Sequence, residues 1–397
     1  MLCLAVLGRA QTADEQVKQY LAERRIYMTT DNSIELLETG AEKFADLFDY
    51  INRARHHIHL EYFNFRHDSI ANLLFVKLAE KVREGVQVRI LFDGFGNKSN
   101  SRPLTRRDLK GIRGMGIEIY EFDPVRFPFI NHVFHRDHRK IVVIDGCVGY
   151  MGGMNVADYY IEGLPKIGAW HDMHMRIEGS AVYDLQDIFL RTWNRASRQF
   201  IGGEAYYPIL PLPPGESTVA IVDREPRVNP DEIRDAFIAA LDNARETVQI
   251  INPYFVPTTS VRRALKRAVD RGVRLEIMVS AKSDISFTPD AVAYITHTLM
   301  KRGAQIYINN DGFHHTKIMM VDGTLSFVGS ANLNSRSLRY DYETNAFIFD
   351  QEITQQLIAL FEREKTNSTL MTLEYWKERG LWKNFIGWFA NLFIPVL

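Results

Sequence analysis

The sequence predicts an α/β protein built of two like halves that share one active site. Three observations predict it. A motif of the form His-x-Lys-x4-Asp-x6-Gly-[Gly/Ser]-x-Asn occurs twice, from His138 to Asn155 and from His315 to Asn332. Around each copy, apolar strand-like runs alternate with helical segments, the pattern of helices layered on a sheet. Between the copies lies Tyr207-Pro208-Ile209-Leu210-Pro211-Leu212-Pro213-Pro214-Gly215, a stretch with little capacity for regular structure. A chain of 397 residues is long enough for two substantial cores.

The duplication extends beyond the motif. Ala54-Arg55 with the run Ile58 to Phe63 matches Ala244-Arg245 with Val248 to Phe255. Further on, Gly85 to Leu91 matches Gly272 to Met278, and Gly116 to Tyr120 matches Gly303 to Tyr307. The separation of the copies is nearly constant over these segments and shortens at the motif, which puts about ten extra residues of the first copy between Gly116 and His138. Each copy reads as strand, helix, strand, helix, strand and motif strand. The helix ahead of Gly85 has Leu73, Leu74, Val76, Leu78, Ala79 and Val82 at helical spacing, with Gly85 as its stop. The expected layout is an N-terminal segment at 1–25, a first domain at 26–206 and a linker at 207–217. A second domain follows at 218–365, with an amphipathic, Trp-rich tail at 366–397.

A net charge of −1 supplies no basic field of the kind that holds nucleic acid by its phosphates, so no nucleic-acid partner is expected. Two cysteines, Cys3 and Cys147, make no disulfide framework. Met1 to Ala10 reads either as the end of an export or anchor segment or as a frayed start. No run reaches the roughly 20 apolar residues that span a bilayer. In the tail, Trp382, Phe385, Ile386, Phe389, Leu392 and Phe393 recur at helical spacing, with Lys377, Arg379 and Lys383 on the polar side. That pattern predicts a helix lying in a membrane interface, against the alternative of a helix docked on the protein's own core.

His138 and Lys140 are separated by a single residue, so on a strand they project from one face, as do His315 and Lys317. Asp145 and Asp322 fall where each motif strand should leave the core. A lysine is a poor neighbour for a metal ligand but suits a phosphate pocket. No metal is therefore expected, and His132, His135, His171 and His174 lack the carboxylate or cysteine spacing that would make one. Nor is any cofactor expected. Two histidines can divide phosphoryl transfer, one attacking phosphorus and the other protonating the departing alcohol. Lys140, Lys317, Asn155 and Asn332 would neutralise charge on the phosphoryl oxygens. A carboxylate on Nδ1 would orient each ring. Asp172, downstream of His138, and Glu343, downstream of His315, are the candidates, each expected to serve the histidine of its own copy. The aromatic pairs Tyr62-Phe63 and Tyr254-Phe255 are expected to be core packing.

These residues resemble the phospholipase D superfamily and, within it, the bacterial cardiolipin synthases. The likeness runs from about Ile26 onward and includes Gly149 to Asn155, Asn252-Pro253-Tyr254-Phe255-Val256-Pro257 and Gly329 to Ser337. It implies two α/β/α sandwich domains with mixed sheets, related by a pseudo-twofold axis, with the active site at their interface. His138, Lys140, Asp145, His315, Lys317 and Asp322 would be catalytic, with His138 as nucleophile and His315 as acid. The implied reaction is metal-independent ping-pong transphosphatidylation, two phosphatidylglycerols giving cardiolipin and glycerol. The implied partners are phospholipids and a bacterial membrane surface, held peripherally or by an interfacial anchor. The two transmembrane helices that open some synthases have no counterpart in this sequence. A hydrolase that passes the phosphatidyl group to water, another phosphatidyltransferase, a nuclease and a catalytically silent lipid-binding protein are the alternatives.

Overall fold

The structure, a computed structural model, describes residues 12–125, 134–210, 212–285 and 288–391. The segment Met1–Ala10, His132, Leu392 and Phe393 lie outside the described residues, as do most of the extra residues of the first copy.

The first half contains α1 (Ala13–Glu23), β1 (Thr29–Leu37), α2 (Gly40–Arg53), β2 (His57–Tyr62), α3 (Ser69–Arg83), β3 (Gln87–Asp93), α4 (Gly94–Ser99), α5 (Arg106–Gly114) and β4 (Glu118–Phe122). It continues through the motif strand β5 (Lys140–Ile144), β6 (Val148–Gly152), α6 (Tyr159–Glu162), β7 (Trp170–His171), β8 (His174–Glu178) and α7 (Ala181–Ser197). The second half runs β9 (Ser217–Arg224), α8 (Glu232–Asn243), β10 (Thr247–Ile251), α9 (Thr259–Asp270), β11 (Arg274–Ser280), α10 (Thr288–Met300), β12 (Gln305–Asn309) and β13 (Phe313–His314). It closes with the motif strand β14 (Ile318–Val321), β15 (Leu325–Gly329), α11 (Ser335–Arg339), β16 (Glu343–Phe349), α12 (Gln351–Lys365), β17 (Ser368–Leu370), α13 (Leu373–Glu378) and α14 (Gly380–Asn391).

Among the described residues, fifteen strands form one continuous sheet. From the antiparallel join of β1 with β9, the first half proceeds outward as β8-β6-β5-β2-β3-β4. The second proceeds as β16-β15-β14-β10-β11-β12, with β17 added at the edge. The two orders correspond strand for strand, so the sequence repeat is a structural repeat about the join. In each half three strands, β2-β3-β4 and β10-β11-β12, are parallel and the rest pair antiparallel, β17 included, a mixed sheet as expected.

Helices cover both faces. α2 opens on a capping box in which the Thr39 hydroxyl accepts from the Glu42 N–H at 3.1 Å. α3 buries Leu74, Leu78 and Ala79 and ends at Gly85, whose φ of +93° suits glycine. Leu73 and Val76, expected on its inner face, are exposed, and Ala71 and Phe75 take the buried positions instead. One core belongs to each half. A third, with Ile141, Val143 and Met175 from one half and Ile318, Met320 and Ile348 from the other, joins them beneath α7 and α12. Two terminal pieces cross the expected boundaries. Val17 and Leu21 of α1 pack in the second half's core, and Met371, just past β17, does the same.

Candidate active site

Each motif strand begins beside a segment from the opposite half. The His138 N–H donates to Tyr342 O at 3.0 Å, and Tyr342 N–H donates to Arg136 O at 2.8 Å. By the same geometry His315 N–H donates to His171 O at 2.7 Å, and β13 runs parallel to β7 with His314 opposite His171. Tyr342 and His171 are the residues immediately before Glu343 and Asp172. These bridges therefore deliver each carboxylate to the other half's histidine.

His138 Nδ1 lies 3.1 and 3.2 Å from the two oxygens of Glu343. His315 Nδ1 lies 2.6 Å from Asp172 Oδ2. The two expected orienting residues do contact histidines, but the expected pairing within each copy is overturned. Sequence proximity misled here because β8 and β16 flank the join, where the nearest histidine is the partner half's. With Nδ1 taken by a carboxylate, Nε2 is the nitrogen left for phosphorus in both rings.

The Gly/Ser variation of the motif follows from the carboxylates. A Cβ on Gly153 would stand 2.1 Å from Asp172 Oδ1, so this position must be glycine. In the second half Ser330 occupies the equivalent place, donates its hydroxyl to Glu343 Oε2 and accepts from Thr344 N–H at 3.0 Å.

Lys140 and Lys317 are buried beside the rings, their ammonium groups donating to the carbonyls of His138 and His315. Lys317 Nζ is also 2.9 Å from His315 Nδ1. Asn155 and Asn332 are both buried nearby, and Asn332 Oδ1 has no hydrogen-bond partner among the described residues. Burial pushes the Lys140 ammonium down to about 7 and Lys317 to about 8, with Glu343 and Asp172 opposing the shift. Burial, then Lys140, pushes His138 down to about 4 against the pull of Glu343. His315 is lowered by burial and Lys317, with Asp172 opposing. Burial works against the charge on Asp172 and Glu343, but the lysines and histidines beside them outweigh it, and both carboxyls are held below their usual range. The histidines keep a little access, 15% of the His138 side chain and 8% of His315.

Asp145 and Asp322, expected to be catalytic, stand at the far end of their strands, about 16 Å from the lysines at roughly 3.3 Å per residue. Each adopts positive φ, +52° and +50°. Asp145 accepts the backbone N–H groups of Arg55, His56 and His57 at 2.8 to 2.9 Å. Asp322 accepts those of Arg245, Glu246 and Thr247 at the same distances. These aspartates cap the entry to β2 and β10, a structural task that corrects the expected role.

The aromatic pairs divide. Tyr62 and Phe255 are core, as expected. Phe63 and Tyr254 are half-buried and turn to the histidines, with centroids 5.1 Å from His138 and 5.9 Å from His315. Trp170 and Phe313, each 5.5 Å from His315, complete an aromatic wall. Sequence reasoning missed Trp170 and Phe313; their positions two before Asp172 and two before His315 were the available signal. It also missed Arg139, the middle residue of the first motif. Fully buried, Arg139 donates to Asp223 of β9 at 2.8 Å and lies 3.4 Å from Glu61, which ties the halves together at the site. Among the described residues no group of three or more His, Cys, Asp or Glu side chains is arranged to hold a metal ion.

This fold, with paired His/Lys/Asn sets meeting across the join of two repeats, defines a phospholipase D-like protein. A family model described as "Cardiolipin synthase, PLD-like domain" matches residues 47–193 and 237–365. The chain belongs to that family, whose members are phosphatidyltransferases of the phospholipase D superfamily. It is 36% identical to a cardiolipin synthase of Oceanobacillus iheyensis over 370 residues, 93% of this chain and 76% of that one. It is also 36% identical to the major cardiolipin synthase ClsA of Bacillus subtilis over 374 residues, with the same shares covered. The crystal structure of a phosphatidylserine synthase from Haemophilus influenzae Rd KW20 superposes with a TM-score of 0.71, over 96% of this chain and 100% of that one. At 16% identity that likeness concerns the fold.

Proposed function

We propose that the protein is a cardiolipin synthase that transfers a phosphatidyl group through a phosphatidyl-histidine. His138 Nε2 attacks the phosphorus of one phosphatidylglycerol, forming a P–N bond as the P–O bond to glycerol breaks. His315 gives its proton to the departing glycerol oxygen. The hydroxyl of a second phosphatidylglycerol then returns a proton to His315 and attacks phosphorus, and the P–N bond breaks to release cardiolipin. Neither metal nor cofactor takes part.

The observation that carries this reading is the crossed pair of histidine–carboxylate contacts, which gives each half one imidazole with Nε2 available. The depressed affinity of His138 for protons suits the nucleophile, which must be neutral. His315 must hold a proton, and an incoming phosphodiester anion favours that by offsetting Lys317. Lys140, Lys317, Asn155 and Asn332 would receive the phosphoryl oxygens, as in other preorganised anion sites. The domains at 26–206 and 218–365 each supply one histidine, and nucleic acid is not expected to compete for them.

The tail supports attachment to a bacterial membrane surface. α14 lies on α10 through Gly387, where a Cβ would meet Asp290 O at 2.5 Å, so one face is docked on the body. Its other face presents Leu381 and Trp382, 90% and 71% exposed, with Phe385, Trp388 and Phe389. Among the described residues no helix is long and apolar enough to cross a membrane. An aromatic ridge of this kind would settle among lipid headgroups.

The test is purified protein on phosphatidylglycerol vesicles with EDTA, products identified by mass spectrometry. Cardiolipin and glycerol are expected in equal amounts. Absence of cardiolipin would overturn the reading, and phosphatidic acid as the main product would make the enzyme a hydrolase.

A further inference from the structure

The two halves match strand for strand, yet differ directly behind the pocket. Lys43 of α2 is completely buried. Its Nζ donates to Asn155 O at 3.0 Å and Met154 O at 3.4 Å, and lies 4.4 and 4.8 Å from the rings of Phe44 and Tyr62. Among the described residues no carboxylate forms an ion pair with it. When Ala54 is laid on Ala244, the position of Lys43 falls on Ile233, an ordinary core side chain of α8. Opposite Gly152 in the sheet stands His174, buried, with both ring nitrogens unpartnered among the described residues. Opposite Gly329 stands Asn345, whose side-chain oxygen accepts from Ala331 N–H at 3.2 Å.

Each half thus secures the turn carrying its phosphate-facing asparagine by a different device. In the second, Asn345 holds the residue before Asn332 by a neutral hydrogen bond. In the first, the residue before Asn155 and Asn155 itself are held by a buried lysine amine, whose affinity for a proton burial pushes well below the usual lysine range against the pull of Asp172. Burying a lysine amine without an ion-pair partner is costly whether it keeps its proton or sheds it, and an isoleucine fills the same place in the other half. We infer that Lys43 is a positioning residue for the first half-site, fixing the Met154–Asn155 turn so that the Asn155 amide meets the phosphodiester. This rests on the phosphodiester-transfer reading above.

The test uses turnover of bis(4-nitrophenyl) phosphate, a diester that needs the pocket but no lipid, alongside cardiolipin formation from phosphatidylglycerol. K43M keeps the volume of the side chain and removes its donor. It should lower kcat about 10- to 100-fold on the diester while KM changes less than about threefold, the signature of a misplaced rather than missing contact. In an N155A background the same change should cost less than about threefold, because Lys43 acts through Asn155. K43Q, which keeps an N–H donor, should recover part of the loss and serves if K43M does not fold. Full activity of K43M, losses that multiply with those of N155A, or a wild-type protein inert on the diester would overturn the inference. Diester turnover with this coupling but no cardiolipin would sink the lipid assignment and leave the role of Lys43 standing.

Discussion

Glu343 and His138, far apart in sequence, meet at 3.1 Å across the join of the two halves. Asp172 and His315 make the reciprocal contact at 2.6 Å. Neither half therefore holds a complete histidine pair, and the site exists only when β1 and β9 are zipped together. E343Q should slow formation of the phosphatidyl-enzyme, and D172N should slow protonation of the leaving glycerol. We expect each to lower kcat by about 10²- to 10⁴-fold, as loss of an orienting carboxylate does elsewhere. Protonation of the leaving oxygen belongs to the step that forms the phosphatidyl-enzyme, so a radiolabelled lipid whose leaving group is 4-nitrophenol, which departs without a proton, separates the two. Rapid-quench trapping should recover label on D172N but not on E343Q, and equal labelling of both variants would contradict the assignment.

Asp145 and Asp322 should matter for stability more than for chemistry. D145A leaves three N–H groups without their acceptor and puts alanine at positive φ, and should cost about 1–3 kcal/mol. Urea unfolding measures that loss. The protein that remains folded should keep kcat within about threefold of wild type, and a kcat loss of about 100-fold would return Asp145 to the chemistry.

Alkaline pH should weaken substrate capture. Lys140 and Lys317 lose their protons near 7 and 8 in the free protein, so the pocket sheds positive charge as pH rises through that range. The profile of kcat/KM, which reports the free enzyme, should fall there. His138 stays neutral down to about 4, so no acid limb from the nucleophile is expected between pH 5 and 7.

Acid should destabilise the first half through a histidine cluster beneath α7. His57 hydrogen-bonds Gln186, which in turn reaches His59, with Arg89 and Tyr206 alongside. Burial lowers His57 to about 4, against Gln186 and Asp145, which favour its charge, while His56 and Arg89 add to the lowering. His59 is likewise pushed well below the usual histidine range, chiefly by burial and then by His57. The unfolded chain protonates these rings at about 6.5, so their contribution is present above that pH and is lost as pH falls from 6.5 towards 4. For His57 alone the loss approaches about 3 kcal/mol. Thermal melts at pH 7 and pH 5 should differ accordingly, and H57Q should flatten the difference.

The exposed ridge of α14 gives a separable prediction. W382S/F385S/F389S should weaken sedimentation with anionic vesicles at least about tenfold, because three aromatic anchors are lost. Activity in detergent micelles should remain within about threefold, since these side chains face away from the body.

The repeat, its alternation of strand and helix and the two His-x-Lys pairs were legible in the chain because they are local, and Asp172 and Glu343 stood out because each copy carries a carboxylate at a similar distance after its motif. A period of two puts His138 and Lys140 on one face whatever surrounds them, and a doubled motif implies a doubled fold. Which carboxylate serves which histidine was not legible, because β8 and β16 lie against the join and reach across it. Nor was the structural task of Asp145 and Asp322, which depends on the N–H groups of strands much earlier in the chain. The same holds for Lys43 behind Asn155 and for the turning of Phe63 and Tyr254, but not Tyr62 and Phe255, towards the rings. Periodicity along a chain sets the face on which a side chain emerges; only the packing of distant strands decides what that face meets.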